Sequence, residues 1–481
     1  MTEPVSAEDR RAARLFLIAL AGYFAAQVAL RCALGGAFEA DEAEMVILNR
    51  AWHLAAGSQT PLYDWWQALW FQVFGTNTFA LVAPKNILLF GTYAAMFAGL
   101  RRVVPQHLAM VGALSLILLP NLSWWAQRTG SHTIALVFMV SVTVWAFLRL
   151  LQRSDTRGFV LFGLAVGLGG LAKVNYWLVP IALVAAGLSM PGPRAALRDR
   201  RLALAAAIAA ALVALPYGWM LLHPGPTFSD TWEFYKDGGR LPWLAGLGRV
   251  LAETLAGTAP LLIALAIGLA CGLRFRRGGD GEGALLRAAA IGLVLVCAVI
   301  VGFNASFVRA RWLLPLFMLA GPVLTIALFR DAGRRGIRNY LIGIAALAVL
   351  LLAGIADVRL RGAGSDSLRV AVMAEQLEAE LGEVPVIVGP HYYTGNLALH
   401  RPGWSYLPPY PSWQLSGRGG QVLVLDAPDR AQADRWLAEH GVADPAAATV
   451  LRQGRLYVPY RFTDGETRQV DYWLMALPAA N

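Results

Sequence analysis

The chain has 481 residues, 57% of them hydrophobic and only 15% charged, with a mean hydropathy of +0.51, a balance that excludes a soluble globular protein and marks an integral membrane protein. The formal net charge of +10 does not indicate nucleic acid as a partner, because such readers concentrate basic residues on one exposed face and charge is scarce here. Almost all of the cationic charge is arginine, the lysines being Lys85, Lys173 and Lys236, while Cys32, Cys271 and Cys297 all lie in apolar runs without disulfide or metal-knuckle spacing.

Apolar stretches of the roughly 17 to 25 residues needed to cross a bilayer fall near 15–37, 79–100, 108–122, 132–151, 202–222, 255–273, 286–304, 312–329 and 339–356. Two shorter ones, 159–172 and 174–190, flank Lys173 and Asn175. Together they predict a polytopic α-helical membrane protein with about eleven spans. The first span follows Arg10, Arg11 and Arg14 and is too long for a signal-peptide core, so it reads as a retained anchor with a cytoplasmic amino terminus. Alternate connections then carry Arg101 and Arg102, Arg153 and Arg157, the 194–201 arginines, the 274–287 arginines and the 330–338 arginines. The positive-inside rule places those connections in the cytoplasm. The opposite connections, 38–78, 123–131, 223–254 and 305–311, are longer and rich in Trp, Tyr, Pro, Asp, Glu and His. Function is therefore expected on the outer face, which for a bacterial inner membrane is the periplasm.

An odd number of spans puts everything after residue 357 on that same side. From 365 onward strand-like runs (Val384 to Val388, Val422 to Leu425, Leu456 to Phe462) alternate with helix-like ones (Ser367 to Leu381, Arg430 to His440). Asp429 is a plausible N-cap, and Asp464-Gly465 is a turn signal before Arg468 to Leu474. The expected organisation is a membrane catalytic domain, 1–356, followed by a small periplasmic α/β domain, 357–481.

The most informative segment, Phe38-Glu39-Ala40-Asp41-Glu42-Ala43-Glu44, stands where the first span meets the outer surface. A carboxylate inside hydrocarbon costs about 2.5 to 3.5 kcal/mol on insertion scales, so these acids are either a solvated loop end or face a cavity where they have a partner or a role. The following stretch, with Trp52, His53, Tyr63, Trp65, Trp66, Trp70 and Phe71, is too polar to span and predicts interfacial helices.

The acidic pair after the first span, the run Gln59-Thr60-Pro61-Leu62-Tyr63-Asp64-Trp65, and Arg311-Trp312-Leu313-Leu314-Pro315 opening a late span resemble the GT-C glycosyltransferases. The likeness is to the branch holding the protein O-mannosyltransferases and the lipid A aminoarabinose transferase. It covers residues 1 to about 356. Where bacterial relatives often read Gln-Pro-Pro-Leu-Tyr, this chain has Thr60. The resemblance implies a transferase that takes a sugar, a hexose or a pentose, from a polyprenyl-phosphate carrier on the outer face.

Such a donor is already activated, so the enzyme needs a base for the acceptor hydroxyl and cations for the leaving phosphate. Asp41 matches the first acid of the family pair and is the expected general base. Glu42 is the supporting acid, and direct attack would invert the anomeric centre. Donor phosphate candidates are Arg128, Lys173, Arg309 and Arg311, with Arg311 preferred because it matches the family arginine and a guanidinium can clamp phosphate oxygens bidentately. Arg128 also reads as an interfacial anchor, and Lys85 ranks lower.

Tyr63, His53, His132 and Tyr235 are the expected substrate or acceptor contacts. No cofactor is required. A divalent metal held by His53, His132 or His223 with Glu42 or Glu44 stays open, although the spacing matches no compact metal motif. The 223–254 connection, with Trp232, Lys236 and Asp237, reads either as a mobile cover or as an interfacial helix, and His391, Tyr392, Tyr393 and His400 read as tail core and acceptor-side surface. Expected partners are the polyprenyl-phosphate sugar, membrane lipids and a lipid, glycan or protein acceptor. Rival readings are a polyprenyl-linked glycan transporter or flippase, which usually shows paired repeats, an O-antigen polymerase or ligase, and a non-catalytic envelope assembly protein.

Overall fold

The computed structural model describes residues 6–50, 52–236, 240–407, 415 and 420–477. Among these, eight helices are long and apolar enough to cross a membrane: α1 (Ala7–Leu34), Thr78–Leu100, His132–Gln152, Leu202–Leu222, Pro242–Ala270, Asp280–Gly302, Ala310–Phe329 and Arg334–Leu360. Two more segments are bent pairs, Gln106–Leu118 with Pro120–Arg128 at 84° and Val174–Leu188 with Pro191–Leu197 at 117°. In each pair the second half opens on a proline, Pro120 or Pro191, a first-turn position where the missing N–H is tolerated.

Full-length spans therefore number eight, or ten with each bent pair taken as one, not eleven. Thr156–Gly170 has 15 residues and is about 22 Å long, short of a hydrocarbon core of roughly 30 Å. It is held by close packing instead: a Cβ on Gly163 or Gly167 would collide with Ala205 or with Ala209 and Leu212 of Leu202–Leu222. Small residues four apart let the two backbones approach, the usual device between helices in lipid. His132–Gln152 and Ala310–Phe329 form the buried centre, while α1 and Arg334–Leu360 are peripheral and present apolar side chains such as Leu15, Ile18, Val349 and Leu350 outward.

The connection expected over 223–254 is shorter than that. The next helix already begins at Pro242, because the proline sits in its first turn and Trp243, Leu244 and Leu247 extend the apolar pattern. The preceding 3-10 turn, Ser229–Tyr235, is pinned to the 305–309 loop: the Phe234 carbonyl accepts from the Ser306 and Phe307 amides at 2.7 and 3.1 Å. Asp237 lies outside the described residues.

Two short helices follow α1, namely α2 (Ala40–Leu48) and α3 (Leu62–Phe74). On α3, Tyr63, Asp64, Gln67 and Ala68 form the buried face, while Leu69, Val73 and Phe74 are exposed, as suits a helix lying along an interface.

After Leu360 the chain builds a mixed four-stranded sheet in the order β1-β2-β4-β3, with β1 (Val386–Val388), β2 (Gly420–Leu425), β3 (Thr449–Pro459) and β4 (Thr467–Leu477). β1 and β2 run parallel, and the other neighbours run antiparallel. Asp429 caps Arg430–Glu439 by accepting from the Gln432 amide at 2.8 Å. β3 starts seven residues earlier than its apolar alternation indicates, because Thr449 to Arg452 are exposed on the sheet edge and only Leu456 and Val458 face the core.

A helix without a clear sequence signal, α4 (His391–His400), lies on α2. Asn396 bridges the backbone there: its Oδ1 accepts from the Phe38 amide at 2.7 Å and its Nδ2 donates to the Phe38 carbonyl at 2.8 Å. A Cβ on Gly395 would fall on the Ala43 carbonyl oxygen. Gly395→Val is expected to push α4 from α2 and lower stability by about 1 to 3 kcal/mol, the usual range for overpacking; unfolding of the purified variant in detergent measures it, and unchanged unfolding would show that the two helices are not in close contact.

Candidate functional site

Four acids occupy the entrance and first turns of α2, and three of them are engaged. Glu39 accepts from the Ser365 hydroxyl at 2.9 Å and meets Arg128 at 3.4 Å. Glu42, 3% exposed, is paired with Lys85 at 2.7 Å and Arg31 at 3.5 Å. Burial by itself would raise its pKa, but the charges of Lys85, Arg31 and Arg359 outweigh that and hold the carboxyl well below the usual range. Glu44 stands 3.8 Å from His391.

Asp41 differs. It is half-buried, and among the described residues its carboxylate accepts no hydrogen bond and forms no ion pair. Its charge acts without direct contact on Tyr63, Lys173 and Arg311.

The two cations are set by a connected backbone. Lys173 follows Thr156–Gly170 and donates to the Thr133 hydroxyl at 3.1 Å, a neutral partner that leaves its charge available. Asn175, two residues on, donates to the Trp312 carbonyl at 3.1 Å, which ties the Lys173 turn to the helix carrying Arg311. That helix opens with its Ala310 amide donating to Glu253 at 2.8 Å, a carboxylate at a helix N-terminus where it is favoured. The Arg311 guanidinium lies over the Trp125 ring, 5.3 Å from its centroid, and its buried Nε has no hydrogen-bond partner among the described residues. The start of α3 joins the same framework, since the Leu62 amide donates to the Leu171 carbonyl at 2.9 Å.

Asp64, 1% exposed, sits between two histidines: His53 Nε2 lies 2.9 Å from Oδ2 and His132 Nε2 lies 3.1 Å from Oδ1, the latter an ion contact not aligned as a hydrogen bond. Burial would raise the Asp64 pKa, but both histidines lower it, and the carboxyl stays well below its ordinary value. The Tyr63 ring lies 6.1 Å from that of His132.

The residues picked from sequence thus separate. Asp41, Lys173 and Arg311 face one another electrostatically, and His132 and Tyr63 adjoin them. Glu42 and Lys85 form a buried lock rather than an open acid and an open cation, since each neutralises the other. Arg309 is paired with Glu233 at 2.9 Å and Arg128 with Glu39. Tyr235 is half-exposed, donates to the Phe303 carbonyl at 3.1 Å, and has no bond to Asp41, Lys173 or Arg311 among the described residues. His53 and His132 converge on Asp64, and His223 stacks on Trp219 with centroids 4.3 Å apart. Among the described residues no three His, Cys, Asp or Glu side chains converge as metal ligands would.

Sequence reasoning named Asp64 only within the Gln59 to Trp65 run and gave it no role, although an acid on the buried stripe of an otherwise aromatic helix was a signal. It also missed Thr133 and Asn396, for which the sequence carries none.

Residues 58–219 match the family model described as dolichyl-phosphate-mannose-protein mannosyltransferase. The chain is 30% identical to the lipopolysaccharide core galacturonosyltransferase RgtA of Rhizobium johnstonii, over 92% of this chain and 93% of that one. It is 27% identical to RgtB of the same organism, also a lipopolysaccharide core galacturonosyltransferase, over 96% and 97%. Among solved structures, ArnT from Cupriavidus metallidurans bound to undecaprenyl phosphate superimposes with a TM-score of 0.59 at 15% identity, over 97% of this chain and 98% of that one.

Proposed function

Given that the chain belongs to the GT-C superfamily of membrane glycosyltransferases, we propose that it transfers a uronic acid of the galacturonic type from a polyprenyl-phosphate carrier to a sugar hydroxyl of the lipopolysaccharide core. The reaction takes place on the periplasmic face of a bacterial inner membrane. The donor sugar and acceptor class are supported by the activity named for RgtA and RgtB, and the carrier by the fold shared with ArnT. The observation that carries the mechanism is the uncommitted Asp41 carboxylate, an electrostatic neighbour of Lys173 and Arg311 while its three acidic neighbours are paired.

Asp41 takes the proton of the acceptor hydroxyl as its oxygen attacks the anomeric carbon. The bond to the carrier phosphate breaks, and the phosphate leaves as a monoester whose charge Lys173 and Arg311 receive. Attack opposite the leaving phosphate inverts the anomeric centre. The displacement uses these side chains and needs no resident cofactor. The test is transfer in proteoliposomes, with polyprenyl-phosphate galacturonic acid as donor and core lipopolysaccharide as acceptor. A new uronic acid on the core supports the reading; donor moved across the bilayer without transfer would replace it with a flippase.

The cation pair carries a pH signature. Burial is the largest influence on Lys173 and, with the charge of Arg311, lowers its pKa to about 8 against the opposing Asp41, Glu44 and Glu233. The ammonium is therefore present below that pH and lost as pH rises through it. Donor KM is expected to be flat up to about pH 7 and to rise about tenfold per pH unit above 8, and Lys173→Arg is expected to remove the rise because a guanidinium stays charged. A wild-type donor KM flat to pH 10 would show that Lys173 does not hold the phosphate.

A further inference from the structure

Beyond the reacting centre, a cavity of about 270 Å³ opens between the end of α2 and α3, lined by Asn49, Arg50, Trp52, His53, Trp65 and Gln72. Apart from His53, its lining takes no part in the machinery above. Its composition is that of a carbohydrate site: flat aromatic surface for a sugar ring, with short amides and a guanidinium for hydroxyls and a charge. Trp52 is 60% exposed, a large indole left mostly uncovered by the described residues.

Arg50 is held in place without being neutralised. Its Nη2 donates to the carbonyls of Pro402 and Trp404 at 3.1 and 3.4 Å, and its guanidinium lies over the Tyr406 ring, 5.5 Å from the centroid. Among the described residues it meets no carboxylate. The acid behind the cavity wall, Asp64, is already engaged by His53 and His132. The cavity is therefore a positive, aromatic pocket with a fixed cation, which selects an anionic ring over a neutral one.

Its place in the fold fits the acceptor rather than the donor. Asn49 is eight residues beyond Asp41 along α2, about 12 Å by helical rise, a span bridged by a short oligosaccharide and not by one sugar. His53 belongs to both regions, lining the cavity while bonded to Asp64, whose other oxygen meets His132 beside Thr133 and Lys173.

We propose that the Arg50–Trp52–Trp65 cavity is an acceptor subsite that binds a carboxylated sugar of the glycan next to the one being modified, its ring on Trp52 and its carboxylate on Arg50. This rests on the reading of the acceptor as a glycan. It makes acidic sugars already on the acceptor a requirement for tight binding, not for chemistry.

The test uses the full-length enzyme in detergent and fluorophore-labelled trigalacturonate, with maltotriose and phosphatidylglycerol micelles as competitors. Unlabelled trigalacturonate should displace the label and maltotriose should not. Arg50→Gln and Trp52→Ala should each weaken binding at least tenfold. In the transfer assay both variants should raise acceptor KM by a similar factor while keeping kcat and donor KM. Trp52→Ala guards against misfolding, because its side chain is mostly exposed. Equal displacement by maltotriose, displacement by phosphatidylglycerol alone, or unchanged acceptor KM in both variants overturns the subsite. Trigalacturonate binding that needs Arg50 and Trp52 in an enzyme that transfers no uronic acid would uphold the subsite and overturn the proposed reaction instead.

Discussion

Asp41→Asn is expected to abolish sugar transfer while leaving the enzyme folded and the donor bound. A positioned base contributes typically 10²- to 10⁴-fold, so kcat should fall at least a hundredfold. The amide cannot take the acceptor proton, but it fills the same space, and no hydrogen bond or ion pair among the described residues is lost with the charge. Donor affinity should stay the same or tighten slightly, because the carboxylate that opposes an incoming phosphate has gone while Lys173 and Arg311 remain. That combination separates a base from a structural acid, which would lose folding, and from a scaffold, which would be indifferent. Single-turnover transfer alongside equilibrium donor binding reads both quantities on one preparation.

Glu42 should behave in the opposite way although it is the next residue. Its side chain sits among Lys85, Arg31 and Arg359 with almost no exposure, and removing one member of a buried ion pair leaves an uncompensated charge at a cost of about 3 to 5 kcal/mol. Glu42→Gln and Lys85→Met should each lower the yield of folded protein and its unfolding temperature sharply. The double variant Glu42→Gln/Lys85→Met should recover much of the loss, since both charges leave together. Whatever protein survives from Glu42→Gln should retain measurable transfer. A well-folded Glu42→Gln protein with no activity would move the catalytic acid from Asp41 to Glu42.

The membrane part was legible because hydrocarbon imposes a simple rule: each of the eleven apolar stretches became helical, and their order placed the acids, Lys173 and Arg311 on one connected framework. Shape was less legible. Nothing local distinguishes a span bent at Pro120 or Pro191 from a straight helix containing proline, such as Ala310–Phe329 with Pro315 and Pro322, because tertiary packing decides whether the kink becomes a break. The acidic pair was visible as chemistry, yet its division of labour was not. Asp41 and Glu42 point to different sides of α2, and only the placement of Lys85, more than forty residues away, shows which carboxylate is locked. The grip of α4 on α2 through Asn396 and Gly395 joins residues more than 350 apart, a pairing without periodicity or motif to announce it.

The most direct measurement is the structure of Asp41→Asn with an undecaprenyl-phosphate sugar bound, the substitution holding the donor uncleaved. The account expects the phosphate between the Lys173 ammonium and the Arg311 guanidinium, with the anomeric carbon turned toward residue 41 and space for an acceptor oxygen between them. A phosphate seated elsewhere, or residue 41 pointing away from the sugar, would contradict it.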